Sequence, residues 1–154
     1  MKKNHRYLEN RGRIHPSVLP INDEGFRMCR YCNGNIYPPR RTFCSDTCVH
    51  EYRIRTDGKY LREQVFRRDN GICNICGIDT KEIANLILSS REEDREKIMK
   101  LYNINKNRKV MWWNAKSLWD ADHIVPVKNG GGACGIENIR TLCPCCHKII
   151  TFSK

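Results

Sequence analysis

The chain has 154 residues, with 28 Lys+Arg against 17 Asp+Glu and a formal net charge of +11. That length suits one compact domain or two very small ones sharing little core. Hydrophobic residues make up 40% and charged residues 29%, too apolar for wholesale disorder and too polar for a membrane protein.

No window approaches the roughly 20 apolar residues that a membrane span needs. The basic start, Met1 to Asn10, has no apolar stretch behind it, so no secretory signal is expected. The expected setting is a reducing compartment, cytoplasmic, or nuclear if the source is eukaryotic. Ten cysteines then call for an explanation other than disulfides, and metal binding is the common one. Eight of them form four close pairs, Cys29/Cys32, Cys44/Cys48, Cys73/Cys76 and Cys143/Cys146, with Cys134 and Cys145 left over. Zinc favours four thiolates in a tetrahedron, and a gap of two or three residues lets one tight turn supply two of them. Two structural zinc sites are expected, each contributing on the order of 10–16 kcal/mol to folding. Eight thiolates and two zinc ions would lower the charge only to about +7, still basic enough to favour a polyanionic partner.

Residues 1–27 carry scattered charge, Pro16 and Pro20 without periodicity. They read as a loosely ordered basic arm, with Arg11 and Arg13 as phosphate contacts. Residues 28–56 read as a four-cysteine finger built on Cys29, Cys32, Cys44 and Cys48. Ser45 or Asp46 caps a helix through His50, Tyr52 and Ile54. His50 is a spare ligand candidate beside four thiolates. From Asp57 a second helix is expected to about residue 72, with Leu61, Val65 and Phe66 as its buried stripe. Asn70-Gly71 stops it and leads into Cys73-Asn-Ile-Cys76.

A helical insertion is expected over about 79–109. Asp79 or Thr80 would cap its first segment, and Ser90 with Glu93 fits a capping box for the second. Residues 79–100 hold six acids and five bases, so the excess positive charge lies elsewhere in the chain. Met111-Trp112-Trp113 and Trp119 are either core or a base-stacking platform, and core is the commoner use of such rings.

The informative stretch runs from Trp119 to Lys148. It holds Asp122-His123-Ile124-Val125-Pro126, the glycine run Gly130 to Gly132, Asn138, and Leu142-Cys143-Pro144-Cys145-Cys146-His147. Val125 to Val127 suggest one arm of a hairpin and Ile139 to Leu142 the other. A short helix starting near His147 would follow. Such a β-β-α unit would be tied at its base by Cys73, Cys76, Cys143 and Cys146 around one zinc, with Cys145 as a substitute ligand.

These residues resemble the HNH endonucleases (His-Me finger, ββα-metal nucleases), in the zinc-containing branch, from Cys73 to His147 without the insertion. The resemblance implies an α+β fold: a small zinc-stabilised ββα-metal core, preceded by a treble-clef-like finger and interrupted by a helical insertion. The domains would be 1–27 (arm), 28–56 (finger) and 57–154 (nuclease). It implies that Asp122 and His147 hold a catalytic divalent ion, that His123 is the general base, and that Asn138 braces the loop positioning that base. Residues 29–76 are similar to the finger and helix that precede some HNH domains, including one attached to certain eukaryotic annealing helicases.

The chemistry agrees with that carry-over. A histidine with an unperturbed pKa of about 6.5 takes a proton from water near neutral pH. A divalent ion on one carboxylate and one imidazole keeps open positions for phosphate oxygens and water. Mg²⁺ or Mn²⁺ is expected, with Ni²⁺ or Zn²⁺ also compatible with the imidazole. The expected partner is DNA, through its phosphate backbone, with no membrane role and an undetermined oligomeric state. The alternative is a non-catalytic zinc module that binds nucleic acid. A zinc deaminase is excluded because no His-x-Glu occurs, and a zincin protease because no His-Glu-x-x-His occurs. One geometric tension stands: adjacent residues on an ideal strand face opposite ways, so Asp122 and His123 would require a bend near the glycine loop to serve one phosphate.

Overall fold

The computed structural model describes residues 12–104 and 118–152. Two compact units divide the chain: Met1–Leu61 with Ala133–Gly135, and Arg62–Gly132 with Ile136–Lys154. The expected Arg11 contact and the Met111-Trp112-Trp113 segment lie outside the described residues, as does the end of the insertion beyond Ile104.

In the first unit, residues 12–27 carry structure where the sequence suggested a loose arm. A 3-10 turn spans Pro16–Val18, Ile21 bridges Arg27, and Met28 bridges Asn35. Leu19 joins Cys29, Ile36 and Cys48 in a buried apolar cluster flanked by Ile14, Tyr31, Phe43 and Cys44. Leu19 and Ile14 thus anchor this segment on the small apolar cluster beside the knuckle. The Pro38–Pro39 peptide is cis.

Helix α1 (Asp46–Thr56) starts at Ser45, whose hydroxyl accepts from the Cys48 amide. It thus satisfies one of the donors that a helix start leaves open. Arg30 is buried yet well served. Its guanidinium lies 4.4 Å from the Tyr52 ring centre and 5.4 Å from that of Phe43. It also donates to the Tyr52 hydroxyl and the Gly12 carbonyl. A buried charge is tolerated only with such bonds. His50 bonds Tyr60 at 2.9 Å rather than joining the cysteines.

Helix α2 (Gly58–Asp69) receives its cap from Asp57, whose carboxylate accepts from the Tyr60 amide. Of the expected stripe, Val65 is fully buried and Leu61 and Phe66 partly so. The helix ends three residues earlier than the sequence suggested, because Asn70 and Gly71 both take positive φ and break the hydrogen-bond ladder.

Helices α3 (Thr80–Ser89) and α4 (Glu92–Leu101) form the described part of the insertion. Asp79 caps α3 through the Lys81 amide. The expected capping box at Ser90 and Glu93 does not form. Ser90 is instead the C-cap of α3, its hydroxyl donating to the Leu86 carbonyl, and Arg91 opens α4 without a side-chain cap. Ile83, Ala84, Ile87, Met99, Ile104 and Leu118 form the core here. Trp119 is also core, not a platform. It is 7% exposed, its ring lies near Phe66, and the Arg62 guanidinium sits 4.1 Å from its centre.

Strands β1 (Asp120–His123) and β2 (Ile139–Leu142) pair antiparallel, with Asp122 opposite Arg140 and His123 opposite Ile139. The first arm therefore lies before the segment Val125 to Val127 that the sequence suggested. Pro126 lacks an amide for a ladder, and the backbone groups of Val125 are taken by the Asn138 side chain. Helix α5 (Pro144–Phe152) begins three residues earlier than expected, with proline in its first turn, a position where the missing amide costs nothing. Cys73, Leu142, Cys143 and Cys146 form the buried cluster between knuckle, strand and helix. Among the described residues no helix is long and apolar enough to cross a membrane.

Candidate active site and metal centres

The eight expected zinc cysteines assemble as two quartets, Cys29/Cys32/Cys44/Cys48 and Cys73/Cys76/Cys143/Cys146, with all sulfurs of a quartet within 4.8 Å of one another. Sulfur separations of 3.4 Å for Cys32–Cys44 and Cys44–Cys48, and 3.7 Å for Cys76–Cys143, approach the roughly 3.8 Å edge of a tetrahedron with 2.3 Å zinc–sulfur bonds. The cysteines are unbridged by disulfides, and the quartets suit structural zinc.

In the second quartet, burial opposes ionisation of Cys73, but donation from the Cys76, Cys143 and Ile75 amides outweighs it and brings this thiol down to about 6. Burial, aided by the neighbouring sulfurs, pushes Cys143 up to about 11 and Cys146 higher still. Four thiols this close cannot all ionise without a cation between them. Cys145 stands apart, its sulfur directed at the Leu101 carbonyl at 3.8 Å.

The hairpin grows directly from this second quartet. Asn74 donates to the Thr141 carbonyl of β2, and Cys143 and Cys146 flank the start of α5. The loop joining β1 to β2 is held by Asn138. Its Oδ1 accepts from the Val125 amide at 2.8 Å, and its Nδ2 donates to the Val125 and Gly131 carbonyls, each at 3.1 Å. One side chain thus replaces a run of ladder bonds. Gly131 is required by close approach: a Cβ there would lie 1.8 Å from the Val125 carbonyl oxygen.

His123 ends β1, half-buried, and among the described residues its ring makes no hydrogen bond. The Ile124 amide just after it bonds the Asn138 carbonyl, so the brace also sets where the strand terminates. Asp122 and His123 keep the normal strand alternation, without the bend that the sequence called for.

Two interactions were not foreseen from sequence. Arg140 donates from Nε and Nη2 to the same oxygen of Asp122, Oδ2, at 2.9 and 2.7 Å. Asp120 Oδ2 lies 3.2 Å from His147 Nδ1, within ion-pair distance though not aligned as a hydrogen bond. The two aspartates share one face of β1 because side chains repeat every second residue. That alternation was a readable signal for Asp120, whereas Arg140 required the strand register. The opposite face is held by α2: Arg68 donates to the Ile139 carbonyl, and the Thr141 hydroxyl donates to Asp69. The Arg68 guanidinium, with help from Thr141, keeps the Asp69 carboxyl below the usual carboxylate range.

The sequence profile of the HNH endonuclease family matches residues 108–152. The DNA annealing helicase and endonuclease ZRANB3 of Mus musculus is 32% identical over 146 residues, which is 85% of this chain and 14% of that protein. The Homo sapiens protein of the same name is 32% identical over 147 residues, 92% of this chain and 13% of its own length. Anaredoxin from a Nostoc strain is 33% identical over 55 residues, 36% of this chain and 71% of that protein. The crystal structure of the human ZRANB3 HNH domain aligns with a TM-score of 0.46 at 28% identity, covering 63% of this chain and 88% of that one.

Residues 108–152 carry the HNH endonuclease family's domain, and the chain is homologous to the ZRANB3 relatives. It spans only 14% and 13% of the ZRANB3 relatives' length.

Proposed function

We propose that the protein hydrolyses DNA phosphodiester bonds with His123 as general base. One observation carries this reading: the 3.2 Å approach of His147 on α5 to Asp120 on β1. It sets an imidazole beside the strand face that also bears Asp122.

The donor set fits a catalytic divalent ion. Arg140 occupies only Oδ2 of Asp122, and among the described residues nothing bonds Oδ1. Nδ1 of His147 faces Asp120, which leaves Nε2 as the ring nitrogen that could serve as the ligand atom. Asp122 and His147 would hold Mg²⁺ or Mn²⁺, and Ni²⁺ or Zn²⁺ would also suit the imidazole. When bound there, the ion neutralises charge on the phosphate and on the departing oxygen.

The protein's own part is positional. His123 accepts a proton from water as that water's oxygen bonds phosphorus, the bond from phosphorus to the 3′ oxygen breaks, and the departing oxygen takes a proton from solvent water. The products are a 5′-phosphate and a 3′-hydroxyl. Asn138 holds the loop so that the base stays at the strand end. Arg140 fixes the Asp122 carboxylate and offers its remaining nitrogen, Nη1, toward a phosphate oxygen. Both quartets hold structural zinc, and the setting is a reducing compartment, nuclear if the source is eukaryotic.

The test is a cleavage assay on plasmid, flap, forked and single-stranded DNA with Mg²⁺ or Mn²⁺. His123→Ala is expected to abolish cleavage while DNA binding and two zinc ions per chain persist. Unchanged turnover in that variant refutes the assignment. Binding without cleavage by the wild type would favour the non-catalytic zinc module.

A further inference from the structure

A groove of about 380 Å³ runs over the first unit, within the roughly 300–1,000 Å³ range of ligand-sized clefts. Its lining includes His15, Phe26, Arg27, Ile36, Arg40 and Arg41, and no carboxylate. Three features distinguish it from a general basic surface.

First, two of its three arginines are uncommitted. Arg40 is paired with Asp46 at 2.9 Å, but among the described residues the guanidinium groups of Arg27 and Arg41 make no ion pair or hydrogen bond. Arginines on a folded surface ordinarily find a carboxylate when one is near. Two left over in one groove amount to a local surplus awaiting an anion. His15 adds an imidazole to the lining, its Nδ1 lying 2.8 Å from the Ser17 hydroxyl.

Second, the groove pairs those donors with aromatic surface. Phe26 lines it, and Tyr37, 58% exposed, packs against Phe26 with ring centres 5.1 Å apart and planes tilted by 59°. Third, its floor is firm. Ile36 belongs to the buried cluster beside the quartet, and the Met28–Asn35 bridge ties the two sides of the knuckle.

Guanidinium groups beside the exposed Tyr37 ring and the half-buried Phe26 match a phosphodiester chain whose bases are unstacked, since a duplex keeps its base faces covered. We propose that this groove is a second nucleic-acid site, specific for single-stranded DNA. Arg27 and Arg41 would sit on successive phosphates and the Phe26–Tyr37 pair against a base. The site is separate from the cleavage chemistry and stands or falls without it.

The experiment measures fluorescence anisotropy of a labelled 12-residue oligo(dT) on the full chain carrying His123→Ala, with no added divalent ion. The double variant Arg27→Ala/Arg41→Ala is expected to bind at least tenfold more weakly. Its slope of log K against log salt should be shallower by about 1.4, the single-strand value for two lost phosphate contacts. Tyr37→Ala should weaken binding about fivefold or more with the slope unchanged, as loss of one stacking contact predicts. A hairpin duplex serves as competitor, and zinc content serves as the folding control. The proposal is overturned if oligo(dT) does not bind, or if the double variant binds it as well as its parent. It is equally overturned if duplex competes as well as single strand and Tyr37→Ala has no effect, which would leave only diffuse electrostatic attraction.

Discussion

The two cysteine quartets use the same four-thiol chemistry on very different lengths of chain. In the first, Cys32 and Cys44 lie 12 positions apart; in the second, Cys76 and Cys143 lie 67 apart. Closing the longer loop costs about 1.5 kcal/mol more by the logarithmic length dependence of loop entropy, a small fraction of what a structural zinc contributes. What changes is the consequence. The first quartet closes a local finger around Leu19, Ile36 and Cys48. The second joins a knuckle to the end of β2 and the start of α5, the elements carrying Arg140 and His147. A metal staple across a long loop is thus an architectural element of the candidate active site, whereas one across a short loop stabilises its own neighbourhood.

The most severe way to break that contrast is to remove one ligand from each quartet. Cys146→Ser and Cys48→Ser should each lower zinc from two ions per chain to one, with a loss on the order of 10 kcal/mol to the affected unit. Only Cys146→Ser should abolish cleavage outright, while Cys48→Ser retains turnover at saturating protein. Equal loss of activity in both, measured beside zinc content, would show that the finger is as integral to the chemistry as the second quartet.

Gly131→Ala comes next. The added Cβ meets backbone at 1.8 Å, and backbone cannot rotate away as a side chain would. A stability loss of about 1–3 kcal/mol is expected, together with a large drop in cleavage because the Asn138 brace must shift. Thermal unfolding and turnover measured together check this; wild-type values in both would mean that the loop is more yielding than its packing indicates.

Arg140→Gln keeps a donor for Asp122 but removes the charge. Cleavage should fall about tenfold, the equivalent of roughly 1.4 kcal/mol in barrier. Mn²⁺ affinity, read by electron paramagnetic resonance, should not weaken. If Mn²⁺ affinity collapses instead, Arg140 serves only to hold the metal ligand.

The mildest test concerns Asp69. Its folded carboxyl is held low by Arg68 and Thr141. The resulting stability is therefore fully present above the unfolded value of about 3.9 and is lost as pH falls through the folded value. Asp69→Asn should destabilise the second unit at neutral pH by about 1.5–3 kcal/mol, the scale of a hydrogen bond to a charged group. The gap to wild type should narrow on acidification. A pH-independent gap in denaturant titrations would count against the ion pair.

Much of the candidate site was legible before any coordinates, and for local reasons. Thiolate pairs at turn spacing, Ser45 before α1, Asp79 before α3, and the Asp122-His123 pair followed by glycines and Asn138 are short-range patterns whose chemistry depends on neighbours in sequence. The misplacements were also local. Val125 to Val127 have the β-branched composition of a strand, yet Pro126 and the Asn138 side chain remove them from the ladder. Ser90 and Glu93 have the spacing of a capping box, but Ser90 bonds backward to Leu86.

What the amino-acid order determined alone was therefore which eight cysteines form the two quartets and where the candidate Asp122-His123 motif lies, since ligand spacing and residue type carry that information directly. Tertiary structure decided the rest. That Arg140 clamps one oxygen of Asp122, that Asp120 meets His147, and that Arg27 and Arg41 share a groove with Phe26 are all facts about segments brought together only by strand register, helix packing and knuckle closure. No local pattern encodes them, because each depends on the distance between side chains whose positions along the chain do not specify it.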